Sequence, residues 1–129
     1  GTEKAVQAVQ ARGDQTVLVS GSIDIYVQHA ADRLGIESAF ACSSVVFDAD
    51  GFVTQFSHSG DEHTAKLRFL ESVARDRGLL LDQCVCVADG PNDLDMFLAT
   101  GKGITFPGTE VEQHAWKVID SVADLPQVL

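Results

Sequence analysis

Short β-branched runs and amphipathic segments alternate along this chain, and the alternation is the feature that most limits its possible folds. Buried strands are predicted at residues 16–19, 84–88, 103–106 and 118–119. Helices are predicted over residues 2–12, 24–34, 63–77, 94–98, 109–116 and 123–129. Strands that alternate with helices are typical of a parallel sheet covered on both faces. The chain is therefore predicted to be an α/β protein with a largely parallel sheet.

One region departs from this alternation. Two β-rich runs, residues 44–47 and 52–56, flank the segment Asp48-Ala49-Asp50-Gly51. An Asp-Gly pair between two such runs is a strong hairpin signal. The sequence therefore predicts one antiparallel hairpin beside the parallel strands.

Composition narrows the class of protein. The 129 residues fit one domain, and 45% hydrophobic with 22% charged residues is close to the globular average. No apolar run is long enough for a bilayer, and the polar start has no leader pattern. The net charge of −10 argues against a nucleic-acid partner. We expect one domain over residues 1–129, with no membrane partner.

The three cysteines are Cys42, Cys84 and Cys86. An odd number without a secretory leader favours a reducing compartment, so a cytoplasmic location is expected. Cys84 and Cys86 alternate with valines and are interpreted as core residues of a strand. A metal site built on this pair alone would lack a second pair of ligands.

Two polar segments follow predicted strands, where parallel sheets carry their active loops. The first is Ser20-Gly21-Ser22, whose hydroxyl and backbone N–H groups can hold an anion or, alternatively, cap a helix. The second is Asp89-Gly90-Pro91-Asn92-Asp93. Its two carboxylates and its amide are ligands that suit Mg²⁺. The alternative is that the segment only begins a helix, with Asn92 as the N-cap and Asp93 complementing the helix dipole.

Lys66 is the third candidate. It lies near the start of the predicted helix over residues 63–77, between Ala65 and Leu67. A solvated surface lysine is the ordinary interpretation of such a residue.

Taken together, these segments and their order resemble the haloacid dehalogenase (HAD) superfamily, in its phosphoserine-phosphatase-like branch. The segment VLVSGSIDIYVQHAADRLGI is similar to the second motif of that branch and its following helix. VVFDADGFVTQF resembles its edge hairpin, Lys66 its third motif, and ADGPNDLDMFLATGKGITF its fourth. The resemblance covers nearly the whole chain and implies a Rossmann-like HAD core with Mg²⁺ as cofactor.

The resemblance also implies a role for each candidate residue. Ser20 with the amides of Gly21 and Ser22 would hold phosphate oxygens, and Asp89 would bind Mg²⁺. Lys66 would neutralise the phosphate and the nucleophile. Asn92 would sit at the phosphate, and Asp93 in or behind the metal shell with a catalytic role.

One family motif is absent. The nucleophile of the family is the first Asp of a D-x-D motif upstream of the serine loop, but the 19 residues before Ser20 hold only Asp14. Asp48-Ala49-Asp50 is rejected as a substitute because it follows the serine loop. Only 15 residues then separate Asp50 from Lys66, too few for a strand, a helix and a new phosphate loop.

The absent motif has a structural consequence. The family's first strand lies between the strands that end here at Ser20 and Ala88, so the sheet should lack its middle strand; the cap is absent as well. The chain must re-pair these strands, swap with a second copy, or accept a strand from another chain. Ala88, where the family usually has Gly, is a smaller departure.

The leading hypothesis is the C-terminal part of a Mg²⁺-dependent phosphomonoester hydrolase, inactive alone because the nucleophile is absent. Its partners would be a small phosphorylated metabolite and either a homodimer mate or a chain that supplies the strand. The alternative is a non-catalytic HAD-like module that binds a phosphorylated ligand or a protein partner.

Overall fold

The computed structural model describes residues 1–129 and contains five α-helices and six strands. In chain order they are α1 (Thr2–Ala11), β1 (Val17–Ile23), α2 (Asp24–Leu34), β2 (Ser38–Phe47), β3 (Val53–His58), α3 (Glu62–Asp76), β4 (Cys86–Val87), α4 (Leu94–Thr100), β5 (Gly103–Thr105), β6 (Lys117–Val118) and α5 (Leu125–Val128). No helix is both long enough and apolar enough to cross a membrane.

The strands form two separate three-stranded sheets. In the first, β1 pairs with β2 in parallel and β2 pairs with β3 antiparallel. In the second, β4, β5 and β6 are all parallel. β1 and β4 are edge strands, so each has one side without a ladder partner. The α/β class with a largely parallel sheet is confirmed, and the sheet is divided where the sequence predicts an absent strand.

Helices cover both faces of the second sheet. One core cluster lies on the α3 and α4 side, and its buried members are Leu70, Cys86, Met96, Phe97 and Val111. The other lies on the α1 and α5 side, and its buried members are Val9, Ile104, Ile119 and Leu125. Adjacent residues of β5 point to opposite faces. Gly103 faces Phe97, whose ring a Cβ would overlap, and Ile104 faces the other cluster.

Two helices hold the sheets together. α1 packs against α2 on one side and α5 on the other, and α3 packs against β1, β2 and α4. The Glu3 carboxylate accepts from Arg33 at 2.6 Å, which adds an exposed contact between α1 and α2. The edges of β1 and β4 are therefore left open within a framework fixed by helices.

The predicted hairpin is confirmed. Val45 lies opposite Phe56, and the Asp48 carboxylate accepts from the N–H groups of Asp50 and Phe52 at 3.0 and 2.9 Å. Gly51 has a φ of +85°, a conformation that side chains rarely adopt. The Asp48 carboxylate thus stabilises an exposed turn, as the hairpin interpretation requires.

Several elements differ from the sequence prediction, β2 among them because it begins at Ser38 and not at residue 44. β1 runs on to Ile23 with a register break after Ser20, so Gly21 and Ser22 lie in an irregular strand end. β4 is only Cys86–Val87, so Cys84, Val85 and Ala88 of the predicted strand lie outside it. The helix predicted over residues 109–116 is a 3-10 turn, Glu112–His114. There the Glu112 carboxylate accepts from the Gly108 N–H at 2.7 Å, a local bond that competes with a longer helix.

Candidate active site

α3 begins directly after Asp61, whose side chain accepts from the Thr64 N–H at 3.1 Å and fixes the start of the helix. The hydrogen bonds from Thr64 hold the pKa of the exposed Asp61 carboxyl below its usual value. Glu62 and Lys66 are four residues apart and so lie on the same face of α3. That face is turned toward the turn that precedes α4.

Lys66 is buried, contrary to the ordinary interpretation of a surface lysine. Its Nζ lies 2.8 Å from Asp93 Oδ1, and the two side chains are 6% and 9% exposed. An ammonium carries three donors. Asp93 takes one of them, which leaves donors for a further anion at this position.

Asn92 lies in the 3-10 turn Pro91–Asp93, which starts four residues after the end of β4 and leads directly into α4. Its Nδ2 donates to Glu62 Oε2 at 2.6 Å. No side chain caps α4, so the interpretation of Asn92 as an N-cap is wrong. The amide instead faces the site.

The Ser20–Ser22 segment lies beside the carboxylate of Glu62, which also contacts Asn92. A Cβ at Gly21 would lie 2.5, 2.9 and 3.0 Å from three carboxyl atoms of Glu62, so a side chain there would make this carboxylate move. The Ser22 N–H donates to Ser20 Oγ at 3.1 Å. The Ser22 N–H, which the resemblance predicts to contact phosphate, therefore has an internal partner.

The structure thus brings together most of the predicted site residues. Glu62 contacts both Gly21 and Asn92, and Lys66 joins Asp93 one helical turn further on. Asp89 lies just beyond β4 and is exposed. Sequence reasoning missed Glu62. The signal that could have found it is its spacing of four residues before Lys66.

The metal donors are of the right kind but too few. Carboxylate oxygens such as those of Asp89 and Asp93 are what Mg²⁺ prefers. Asp93 Oδ1 is paired with Lys66, however, and no cluster of three or more Asp, Glu, His or Cys side chains is close enough to hold a metal ion. The residues of this chain do not by themselves form a complete Mg²⁺ site.

The cysteines are neutral packing residues. Burial raises the pKa of the Cys42 thiol, the charges of Glu62 and Asp93 raise it further, and Lys66 lowers it. Cys42 on β2 therefore lies close enough to feel the charges of the site. Burial also raises the pKa of Cys86 to about 11, in keeping with its place in the core.

The fold and this arrangement fit one family. A family model described as haloacid dehalogenase-like hydrolase matches residues 1–98, which is most of the chain. The chain therefore belongs to the HAD superfamily.

Its relatives are phosphoserine phosphatases. The phosphoserine phosphatase of Methanocaldococcus jannaschii is 31% identical over 135 residues, a match that covers 100% of this chain and 61% of the relative. That of Streptococcus thermophilus is 34% identical over 108 residues, covering 82% of this chain and 49% of the relative. The phosphoserine-phosphatase-like assignment is confirmed.

Solved structures of a phosphoserine phosphatase and of a HAD family hydrolase have a similar fold. A phospho-aspartyl intermediate analogue of phosphoserine phosphatase superimposes with a TM-score of 0.79 and 28% identity, covering 94% of this chain and 58% of that one. A HAD family hydrolase from Salmonella enterica, at 22% identity, shares the fold with a TM-score of 0.82. This chain spans 61% of the Methanocaldococcus relative and 31% of the Streptomyces coelicolor phosphoserine phosphatase, so much of each has no counterpart in it.

Proposed function

We propose that this chain forms the greater part of the core of a Mg²⁺-dependent phosphomonoester hydrolase that is phosphoserine-phosphatase-like. The observation that carries the proposal is the buried Lys66–Asp93 pair, 2.8 Å apart, next to Asn92. A cation fixed in a buried site stabilises developing negative charge more strongly than one in water. Membership of the HAD superfamily supports the same chemistry.

The proposed roles follow from the placement of the residues. Lys66 neutralises a bound phosphoryl group and Asp93 holds Lys66 in position. Asn92 and the Ser20–Ser22 segment hold phosphate oxygens, and exposed Asp89 supplies one ligand of Mg²⁺. The substrate is a small phosphorylated metabolite; O-phosphoserine is the first to test because of the relatives' activity. A cytoplasmic location stays a prediction from the cysteines.

The nucleophile must come from a further strand. Residues 1–19 contain no D-x-D motif, and β1 and β4 each have a free edge. We therefore propose that a parallel strand with the nucleophilic Asp inserts between β1 and β4. It would be supplied by a further polypeptide segment or by a second chain of different sequence. The 129-residue chain alone is expected to be inactive.

The test measures phosphate release from O-phosphoserine by the 129-residue chain, with and without Mg²⁺. The chain is tested alone and mixed with a synthetic peptide of the D-x-D strand of the Methanocaldococcus jannaschii relative. We expect activity only in the mixture and only with Mg²⁺. A peptide with Asn for the first Asp serves as the inactive control.

Each other outcome has a defined meaning. Robust hydrolysis by the chain alone would contradict the need for an added nucleophile. Phosphate binding that never leads to hydrolysis, even when the peptide is bound, would favour a non-catalytic module that binds a phosphorylated ligand.

A further inference from the structure

Glu62 is the residue that connects the two phosphate-binding segments of the proposed site. It is the first residue of α3, one helical turn before Lys66. Its carboxylate contacts Asn92 on one side and the backbone of Gly21 on the other. None of the roles proposed above requires an acidic residue here.

The contacts are close on both sides. Glu62 Oε2 accepts from Asn92 Nδ2 at 2.6 Å, and three of its carboxyl atoms lie 2.5–3.0 Å from where a Cβ of Gly21 would stand. The carboxylate therefore fills the space between the two segments. In the proposed function this is the space of a phosphate group, because Asn92 and Gly21 are the groups that would contact its oxygens.

The chemistry of the carboxylate matters as much as its place. A carboxylate is an oxyanion that accepts from the same kinds of donor as phosphate, and here it accepts from Asn92, a donor that the proposed function assigns to phosphate. Its negative charge also repels a dianion at the same position. Glu62 is only half-buried and lies at the end of a helix, so a rotation about its side-chain bonds can bring the carboxylate to solvent.

We propose that Glu62 is an internal plug of the phosphate site. Its carboxylate occupies the position between Gly21 and Asn92 and turns away when a phosphate group binds. This inference rests on the proposed function, because it assumes that the Ser20–Ser22 segment and Asn92 hold phosphate. It makes Glu62 a positioning residue that weakens ground-state binding of phosphate, and not a catalytic residue.

The test is titration calorimetry of inorganic phosphate into the full 129-residue chain. Glu62→Gln removes the charge and keeps the size of the side chain, whereas Glu62→Ala removes both. We expect both variants to bind phosphate about fivefold tighter or more, because a like charge at contact distance is lost. Glu71→Gln is the matched control: it makes the same charge change at an exposed position of α3, and its affinity should stay within about twofold of wild type.

A second readout follows the plug without relying on affinity. The side-chain amide signals of Asn92 in a ¹⁵N-correlated NMR spectrum report the hydrogen bond to Glu62. Saturation of the wild-type chain with phosphate is expected to shift these signals, since the bond to Glu62 must break. Signals that stay in place at saturation would overturn the plug.

The calorimetric outcomes separate two failures. If wild type binds phosphate, Ser20→Ala does not, and the Glu62 variants bind phosphate no tighter than wild type, the plug is wrong and the proposed site stands. An equal gain in Glu71→Gln also overturns the plug, because bulk charge then explains the effect. If no variant binds phosphate, including Glu62→Ala and with Mg²⁺ and the D-x-D strand peptide present, both the proposed site and the plug fail.

Discussion

Lys66 and Asp93 form a buried ion pair that spans the division between the two sheets. The distance from Nζ to Oδ1 is 2.8 Å, and the pair joins α3, which packs against β1 and β2, to the turn that follows β4. Glu62 and Asn92 form a second contact between the same two elements. The site residues therefore connect a helix that packs on the first sheet to the turn that follows β4 of the second.

Loss of Lys66 is expected to destabilise the fold. Lys66→Met leaves the Asp93 carboxylate buried without its partner, and breaking such a pair from one side typically costs about 3–5 kcal/mol. The measurement is urea denaturation followed by circular dichroism. Lys4→Met, an exposed change on α1, is the control and should alter the free energy of unfolding by less than about 0.5 kcal/mol.

The double variant Lys66→Met/Asp93→Leu sharpens this prediction. It removes both charges, so its loss of stability should be smaller than the sum of the two single losses. Equal stability of Lys66→Met and wild type would mean that the pair is open to water in solution.

Helix ends and periodicity made much of the fold predictable. The helix predicted over residues 63–77 matches α3, because its apolar spacing reflects a face that is buried in the structure. Gly35 and Gly101 end α2 and α4 with φ of 65° and 66°, as a left-handed helix end requires. Short elements such as β4 were less predictable, because their extent depends on which neighbours pair with them.

The site was predictable only where motifs mark it. Lys66, Asn92 and Asp93 meet as the order of the motifs implies. Glu62 was missed because an acidic residue in the first turn of a helix is ordinarily explained by the helix dipole. Its carboxylate lies beside Gly21, a residue 41 positions earlier in the chain, which only the folded structure brings close.

A methyl group at Gly103 is expected to disrupt the core. A Cβ there would overlap the ring of Phe97, which is 1% exposed and cannot move into solvent. Overpacking of this kind typically costs about 1–3 kcal/mol. Thermal unfolding of Gly103→Ala checks the loss, and Gly103→Ala/Phe97→Leu should recover part of it. No recovery would mean that the glycine is needed for its backbone and not for space.

The Cys86 thiol predicts a change of stability with pH. Burial raises its folded-state pKa to about 11 from an unfolded value of 9.0. The neutral thiol is thus favoured in the folded state, so its contribution is complete below pH 9 and is lost as the pH rises toward about 11. Stability should fall by up to about 2 kcal/mol over this window.

The measurement compares urea denaturation of wild type and Cys86→Ala at several pH values. The variant lowers stability at every pH by its cavity, so the informative quantity is the difference in slope between pH 9 and 11. Parallel slopes would show that Cys86 does not titrate differently in the two states.

The open edges of β1 and β4 predict that a strand peptide stabilises the chain. Each edge presents N–H and C=O groups without ladder partners, and Val85 and Val87 beside the β4 edge are 38% and 40% exposed. A ligand that binds only the folded state stabilises it by about 2.7 kcal/mol at one hundred times its Kd. The D-x-D strand peptide should therefore raise the Tm in a concentration-dependent way.

The same peptide with a central proline is the control, because proline cannot complete the ladder of a central strand. Equal shifts with both peptides would show that binding does not occur by strand insertion, and no shift with either would favour pairing of β1 and β4 between two copies of the chain.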